Sequence, residues 1–445
     1  MMTEAKRSDW LRYAPQAREL EEGKKWTVFL SYRSVNRPWV LNLYDVLRER
    51  GHTVFLDQVV LLPGDELEVT LAEHLDDSQA GVLVWSRAAA DSAWVKREYQ
   101  RMSSLADRER DFVFVPIRLD NTPLPGFADE QIFVDFTAYP DGPNGGELLR
   151  LLHAVVGARM SEEAVRFAEA QDQSARRLNA RIEAAIENGD RELLVELYQS
   201  GGLAWEVNSV LASRAIEGLT QLKHYHAAIE MAAEVEKAFP SAIRPRQLHA
   251  LALARLADDT RDSDPAAAQA ALREAQDTLG TLMKAGHRDP ETLGIYARTW
   301  MDRYATTGDV LALRKSRDLY KQAFEGAQDD YYTGINAASK SVLLGTEQDM
   351  ALGRELAAQV EAIVGTETEP DDYWLSATVG EVHLLQGHYE KAARAYMDAV
   401  SSAPSERGSH ESTWQQADRL MEKLSPSAEE RAAVRKAFEH LDDRP

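Results

Sequence analysis

The chain contains no cysteine in 445 residues. That removes disulfides, thiolate metal sites and thiol nucleophiles together. It also fits a reducing compartment. Positive charge is in deficit: 51 Lys and Arg stand against 73 Asp and Glu, for a formal net charge of −22. A field of that sign does not draw a protein onto DNA or an anionic membrane surface, so neither nucleic acid nor membrane is expected as a partner. No apolar run approaches the roughly 20 residues that span a bilayer. The N-terminal stretch is charged and lacks the apolar core of a secretion signal. There is no glycine-rich phosphate loop, no H-E-x-x-H and no G-x-S-x-G. These absences point to a cytoplasmic protein without a metal site, long enough for two or three domains.

What is present divides at about residue 157. Before it, short apolar runs at 26–32, 52–57, 80–86, 112–117 and 131–136 read as buried strands. Between them, helical spacing recurs at 39–50, 66–76, from Ser92 to about Asp107, and at 146–156. Strand–helix alternation implies a parallel sheet covered on both faces, here in a flavodoxin-like five-stranded order. Ligands of such sheets bind outside the carboxyl ends of the strands. Ser31, Tyr32, Arg33, Asp57 and Ser86 fall at that end, as does the start of the Ser92 helix. Trp10, Tyr13 and Leu20 suggest an N-terminal arm, 1–23, laid on this domain.

After 157 the strand patterns vanish and alanine-rich helical text follows. A linker helix spans 161–188. Tyr389, Ala392, Tyr396, Ala399 and Pro404 then share their spacing with Tyr225, Ala228, Ala232, Val235 and Pro240. Gly380 and Gly387 stand where two helices must approach closely. Further helix pairs are expected around 294–323 and 332–360, with a loop between pairs at 258–265. Helices that bury one face only against their neighbours make a solenoid. The expected division is therefore 1–23 arm, 24–157 sheet domain, 158–204 linker and 205–445 helical repeats.

The stretch Ser92-Ala93-Trp94-Val95-Lys96-Arg97-Glu98-Tyr99 carries the candidate chemistry. Asp91 or Ser92 caps the helix. Val95, Tyr99, Met102 and Ala106 share its core face, and Trp94, Glu98 and Arg101 the adjacent one. An exposed Glu beside a half-buried Trp is the ordinary meaning of such a face. A phosphoacceptor receiver would share the topology. It needs an acidic pair after the first strand to hold magnesium, and Ser31-Tyr32-Arg33 stands there instead.

Residues 24–156 resemble a TIR domain. The resemblance rests on Phe29-Leu-Ser-Tyr-Arg33, on Phe55-Leu-Asp57 with Pro63-Gly64 in the next loop, on Val82-Leu-Val-Trp-Ser86, and on Ser92-x-Trp94-Val95-x-x-Glu98, four motifs in order. The helical half resembles a tetratricopeptide array, and residues 331–338 look like part of the helical TRAFs-binding region found beside such repeats. TIR domains divide into scaffolds and NAD+ glycohydrolases, and the enzymes carry a Glu where Glu98 stands. The resemblance thus implies a catalytic Glu98, with Tyr32, Arg33, Asp57, Ser86 and Trp94 as candidate contacts to NAD+. NAD+ would be the substrate, and no further cofactor is implied. Cleaving the nicotinamide–ribose bond builds an oxocarbenium-like cation while the pyridinium leaves neutral, so one fixed carboxylate suffices without a general acid. The family also implies self-association through the loop holding Leu61, Leu62, Pro63 and Gly64. The repeats would sense a protein or peptide ligand or drive stacking, as in bacterial defence or effector signalling. The other reading is a non-enzymatic adaptor in which both halves only bind proteins.

The remaining candidates read as structure. Trp85 is expected in the core, His224 and His226 in a repeat turn without metal, and Lys315-Ser-Arg317 on a solvated helix face.

Overall fold

Apolar residues on both faces make β1 (Val28–Ser31) a buried central strand; all four of its residues are buried. A computed structural model describes residues 10, 12–56, 67–124, 133–200, 208–327, 330–368, 372–404 and 407–442. Within these, β1 lies between β2 (Val54–Phe55) and β3 (Ala80–Trp85), followed by β4 (Val113–Arg118) and β5 (Val134–Asp135). The order is β2-β1-β3-β4-β5, all parallel. The sheet is the expected one, although several strands are shorter than their apolar runs. Strand order reverses between β1 and β3, which places the switch point there.

Helices α1 (Arg37–Glu49), α2 (Leu67–Asp76), α3 (Arg87–Asp91), α4 (Ala93–Arg108) and α5 (Gly145–Val155) cover the sheet. Val95, Tyr99 and Met102 of α4 join Phe29, Phe55 and Trp85 in one core cluster, with Ala106 packed against it. Gly81 lets α4 lie close to the sheet, because a Cβ there would stand 2.9 Å from the Met102 sulfur. Trp85 is buried, and its indole N–H donates to the Pro123 carbonyl at 2.9 Å. The short α3 was not anticipated. Three successive alanines with Ser86 as N-cap are enough to form it. The N-terminal arm is held by buried Trp10 and by Tyr13, whose ring meets Phe167 at 4.8 Å. Leu20 does not join it and is exposed.

The chain forms two compact units, Met1–His287 and Arg288–Pro445. The first adds α6 (Glu162–Glu187), α7 (Arg191–Gln199), α8 (Val210–Gln221), α9 (Tyr225–Ala238), α10 (Arg244–Thr260) and α11 (Pro265–Lys284) to the sheet layer. Gly146 sets the α5–α6 contact: a Cβ there would fall 2.4 Å from the Ala168 carbonyl oxygen. Asp45 of α1 accepts the Ile243 backbone N–H at 2.8 Å, just before α10. The segment 261–264 turns inside the α10–α11 hairpin rather than between pairs.

The second unit is built of helical hairpins: α12 (Pro290–Thr307) with α13 (Val310–Gly326), α14 (Tyr331–Leu344) with α15 (Glu347–Val364), and α16 (Tyr373–Leu385) with α17 (Tyr389–Ser402). Helices α18 (Arg407–Leu424) and α19 (Ala428–Lys436) follow, the latter opened by a Ser427/Glu430 capping box. Gly380 serves the close approach expected of it, since a Cβ there would sit 2.8 Å from the fully buried Tyr396 ring. Lys315 is exposed as expected, but its neighbours are not solvated. Ser316 is buried, and the Arg317 guanidinium pairs with Asp349 of α15 at 2.9 Å. A cation whose helix face meets the next hairpin finds its counter-charge there.

Candidate functional site

Ser31 is the last residue of β1 and is almost fully buried. Glu98 lies on α4, whose first turn is fixed by the Ser92 hydroxyl accepting the Val95 N–H at 3.3 Å. The β1–β3 pairing and the close seat of α4 bring the two together. The Ser31 hydroxyl donates to Glu98 Oε2 at 2.6 Å. A charge-assisted hydrogen bond of that length holds a carboxylate in one orientation. Glu98 is half-buried, as are Tyr32 and Arg33 at the same strand end. Arg101, one turn further along α4, is anchored to Asp76 of α2, Nε to Oδ1 at 3.0 Å. This contact raises the Arg101 pKa chiefly through the hydrogen bond to Asp76. So the helix bearing Glu98 is fastened at its cap, by its core face, and by an ion pair to its neighbour.

Ser86 also lies at the carboxyl edge, but its hydroxyl is committed elsewhere. It accepts the Ala89 N–H at 3.3 Å as the α3 cap and donates to Asn36 Oδ1 at 2.8 Å. It faces a cavity of about 420 Å³ whose lining includes neither Ser31 nor Glu98. Asp57, Leu61, Leu62, Pro63 and Gly64 lie outside the described residues, and so does the side chain of Trp94. Ser31, which falls at the edge in the sequence without a role, is the residue that contacts Glu98. A small hydroxyl ending a buried strand was the available signal, since nothing apolar is gained by burying it.

Among the described residues no group of three or more His, Asp or Glu is arranged to hold a metal ion. His224 and His226 are both exposed at the start of α9. No described helix is long and apolar enough to cross a membrane.

An open five-stranded parallel sheet with a held carboxylate beside its switch point, followed by stacked helical hairpins, defines a TIR-type domain joined to a TPR-like solenoid. Comparison with known families agrees: residues 28–151 match the family described as TIR domain, and residues 224–344 match Tetratricopeptide Repeats-Sensor. The chain carries a TIR domain followed by a tetratricopeptide sensor domain.

Proposed function

We propose that the TIR domain is an NAD+ glycohydrolase with Glu98 as its catalytic carboxylate, and that the helical repeats control its assembly. The observation that carries this reading is the Ser31–Glu98 hydrogen bond at the carboxyl edge of the sheet. A structural glutamate on an amphipathic helix has no need of a buried serine to orient it. A carboxylate that must face a transient cation does, because preorganised charge is worth most when it need not reorient during reaction. The ribose of NAD+ would lie with its anomeric carbon facing Glu98, so that positive charge develops against the carboxylate as nicotinamide leaves. Tyr32 and Arg33, at the same strand end, would meet the rest of the dinucleotide, with Arg33 suited to its pyrophosphate. No cofactor beyond the substrate is required. The product is ADP-ribose, linear or cyclic according to how far water is excluded from the cation.

The repeats offer surfaces for self-association and for a protein or peptide ligand, which suits a cytoplasmic defence or effector enzyme switched on by assembly. The test is NAD+ consumption at high protein concentration, with products separated by chromatography, for the native chain and Glu98→Gln. Turnover by the native chain alone supports the reading. No turnover by either, with both folded and assembled, would leave the protein an adaptor.

A further inference from the structure

The turn from α18 into α19 is made by a residue ill suited to it. Ser425 leaves α18 with φ 52°, in the left-handed region, and its N–H donates to the Met421 carbonyl at 2.9 Å. Helices often end this way, but glycine is the residue that does so without strain. Gly308, Gly345 and Gly387 take the left-handed position in the turns of the three preceding hairpins. Pro426 sharpens the conflict. A residue before proline is pushed toward extended backbone, because the proline ring crowds its N–H and Cβ. Residues 425–427 thus favour an open hinge, while the closed hairpin requires a tight turn. Ser425 is exposed, so burial of its side chain does not offset the strain.

The segment beyond the turn is held by one aromatic anchor. α19 packs on α17, and the one-turn helix Glu439–Leu441 packs on α18. Val434 and Phe438 are fully buried there. The Phe438 ring lies 5.4 Å from that of Tyr396 on α17 and 5.6 Å from that of Trp414 on α18. Polar contacts surround it. Arg407 donates to the His440 and Leu441 carbonyls at 3.2 and 2.8 Å. His410 Nδ1 lies 2.9 Å from His440 Nε2, and Arg431 pairs with Asp418 at 2.5 Å. Each of these contacts joins 428–442 to α17 or α18, all within the second compact unit.

A segment tied by a short strained turn to the surface it covers can make the same contacts from a second chain. We propose that residues 428–442 exchange between two copies of this protein, each copy's Phe438 seating between the other's Tyr396 and Trp414. The exchanged dimer keeps every contact described and lets both Ser425–Pro426 hinges extend. Hinge relief favours it, at both ends. Opposing it are the lost freedom of two chains and the repulsion of two bodies of net charge −22. The segment itself is nearly neutral, three Lys and Arg against four Asp and Glu, so it enters an acidic partner with little opposition of its own. The exchange adds a contact to the proposed assembly. Because mass and connectivity are read rather than turnover, it stands or falls apart from NAD+ cleavage.

The experiment is cross-linking of the full-length protein carrying Asp418→Cys and Arg431→Cys, with Leu62→Asp to remove association through the TIR loop. The Asp418–Arg431 pair is partly exposed and adds little stability. The chain has no cysteine of its own to compete. A short bismaleimide joins the two thiols within one chain in the closed form and between chains in the exchanged one. Light scattering should show a dimer that grows with concentration and with salt, which screens the repulsion. That dimer should give a covalent two-chain product, and the monomer a single-chain one. Ser425→Gly, which accepts the turn without strain, should raise the concentration of half-dimerisation by about tenfold and leave the fold unchanged. A protein that stays monomeric at high concentration would overturn the exchange. So would a dimer that cross-links only within each chain, or a Ser425→Gly variant that dimerises as readily as its parent.

Discussion

The Ser31 hydroxyl and the Glu98 carboxylate meet at 2.6 Å although 67 positions separate them in the chain. Ser31→Ala removes the donor without adding volume and leaves β1 intact. The carboxylate then loses this tether but keeps its charge. We expect kcat for NAD+ cleavage to fall by about tenfold, with KM changed little, whereas Glu98→Gln should lower it by a hundredfold or more, on the order of 3 kcal/mol of transition-state stabilisation. Steady-state kinetics on the two variants gives the comparison. A Ser31→Ala enzyme as fast as the native one would make the contact structural only.

The loop that holds Leu61, Leu62, Pro63 and Gly64 supplies a second prediction, through the resemblance to TIR assemblies. Activity should rise faster than linearly with protein concentration, because association is opposed by a net charge of −22 and needs apolar contacts to overcome it. Leu62→Asp and Gly64→Val should abolish this rise while circular dichroism stays native. Specific activity that stays flat across a wide dilution of a proven monomer would rule out control by assembly.

Asp45 ties α1 to the start of α10 by accepting the Ile243 N–H. Burial raises its carboxyl well above the ordinary range, with the Ile243 N–H opposing the rise. For an acid whose folded pKa exceeds its unfolded value, the cost of ionisation is absent below the unfolded pKa, near 4, and grows as pH rises through the folded pKa. Asp45→Asn keeps an acceptor for Ile243 and cannot ionise. It should raise Tm at neutral pH and give little gain below about pH 4. A destabilised Asn variant at pH 7 would show that the charge is needed at this junction.

His52 behaves in the opposite sense. Burial, followed by Arg50 and Arg18, lowers its pKa to about 4, and its Nδ1 lies 3.1 Å from the Thr27 hydroxyl. Being neutral in the fold, it contributes full stability above the unfolded pKa. That contribution is lost as pH falls from about 6.5 towards 4, an effect on the order of 2 kcal/mol. Thermal melts of the native chain and His52→Asn should diverge at pH 7 and converge towards pH 4.5. A constant difference across that range would remove His52 from the acid response.

The sequence by itself determined the two grammars of the chain. Short continuous apolar runs marked five strands, and helical spacing placed Glu98 beside the core face of α4. The Tyr–Ala offsets announced the hairpins in which Gly380 now touches Tyr396. These features are local: periodicity and capping record which side of an element is buried, and each can be read within a dozen residues. What only the tertiary structure decided are the pairings between elements. Strand order brought Ser31 to Glu98. The α3 cap turned Ser86 toward Asn36, and packing of α13 on its neighbours drew Arg317 onto Asp349. The cavity over β3 and β4 belongs to the same class, because its lining is shared between Asn42 of α1 and Ser213 of α8. Burial of one face is written into a segment, but which distant polar group meets it there depends on how the whole chain closes.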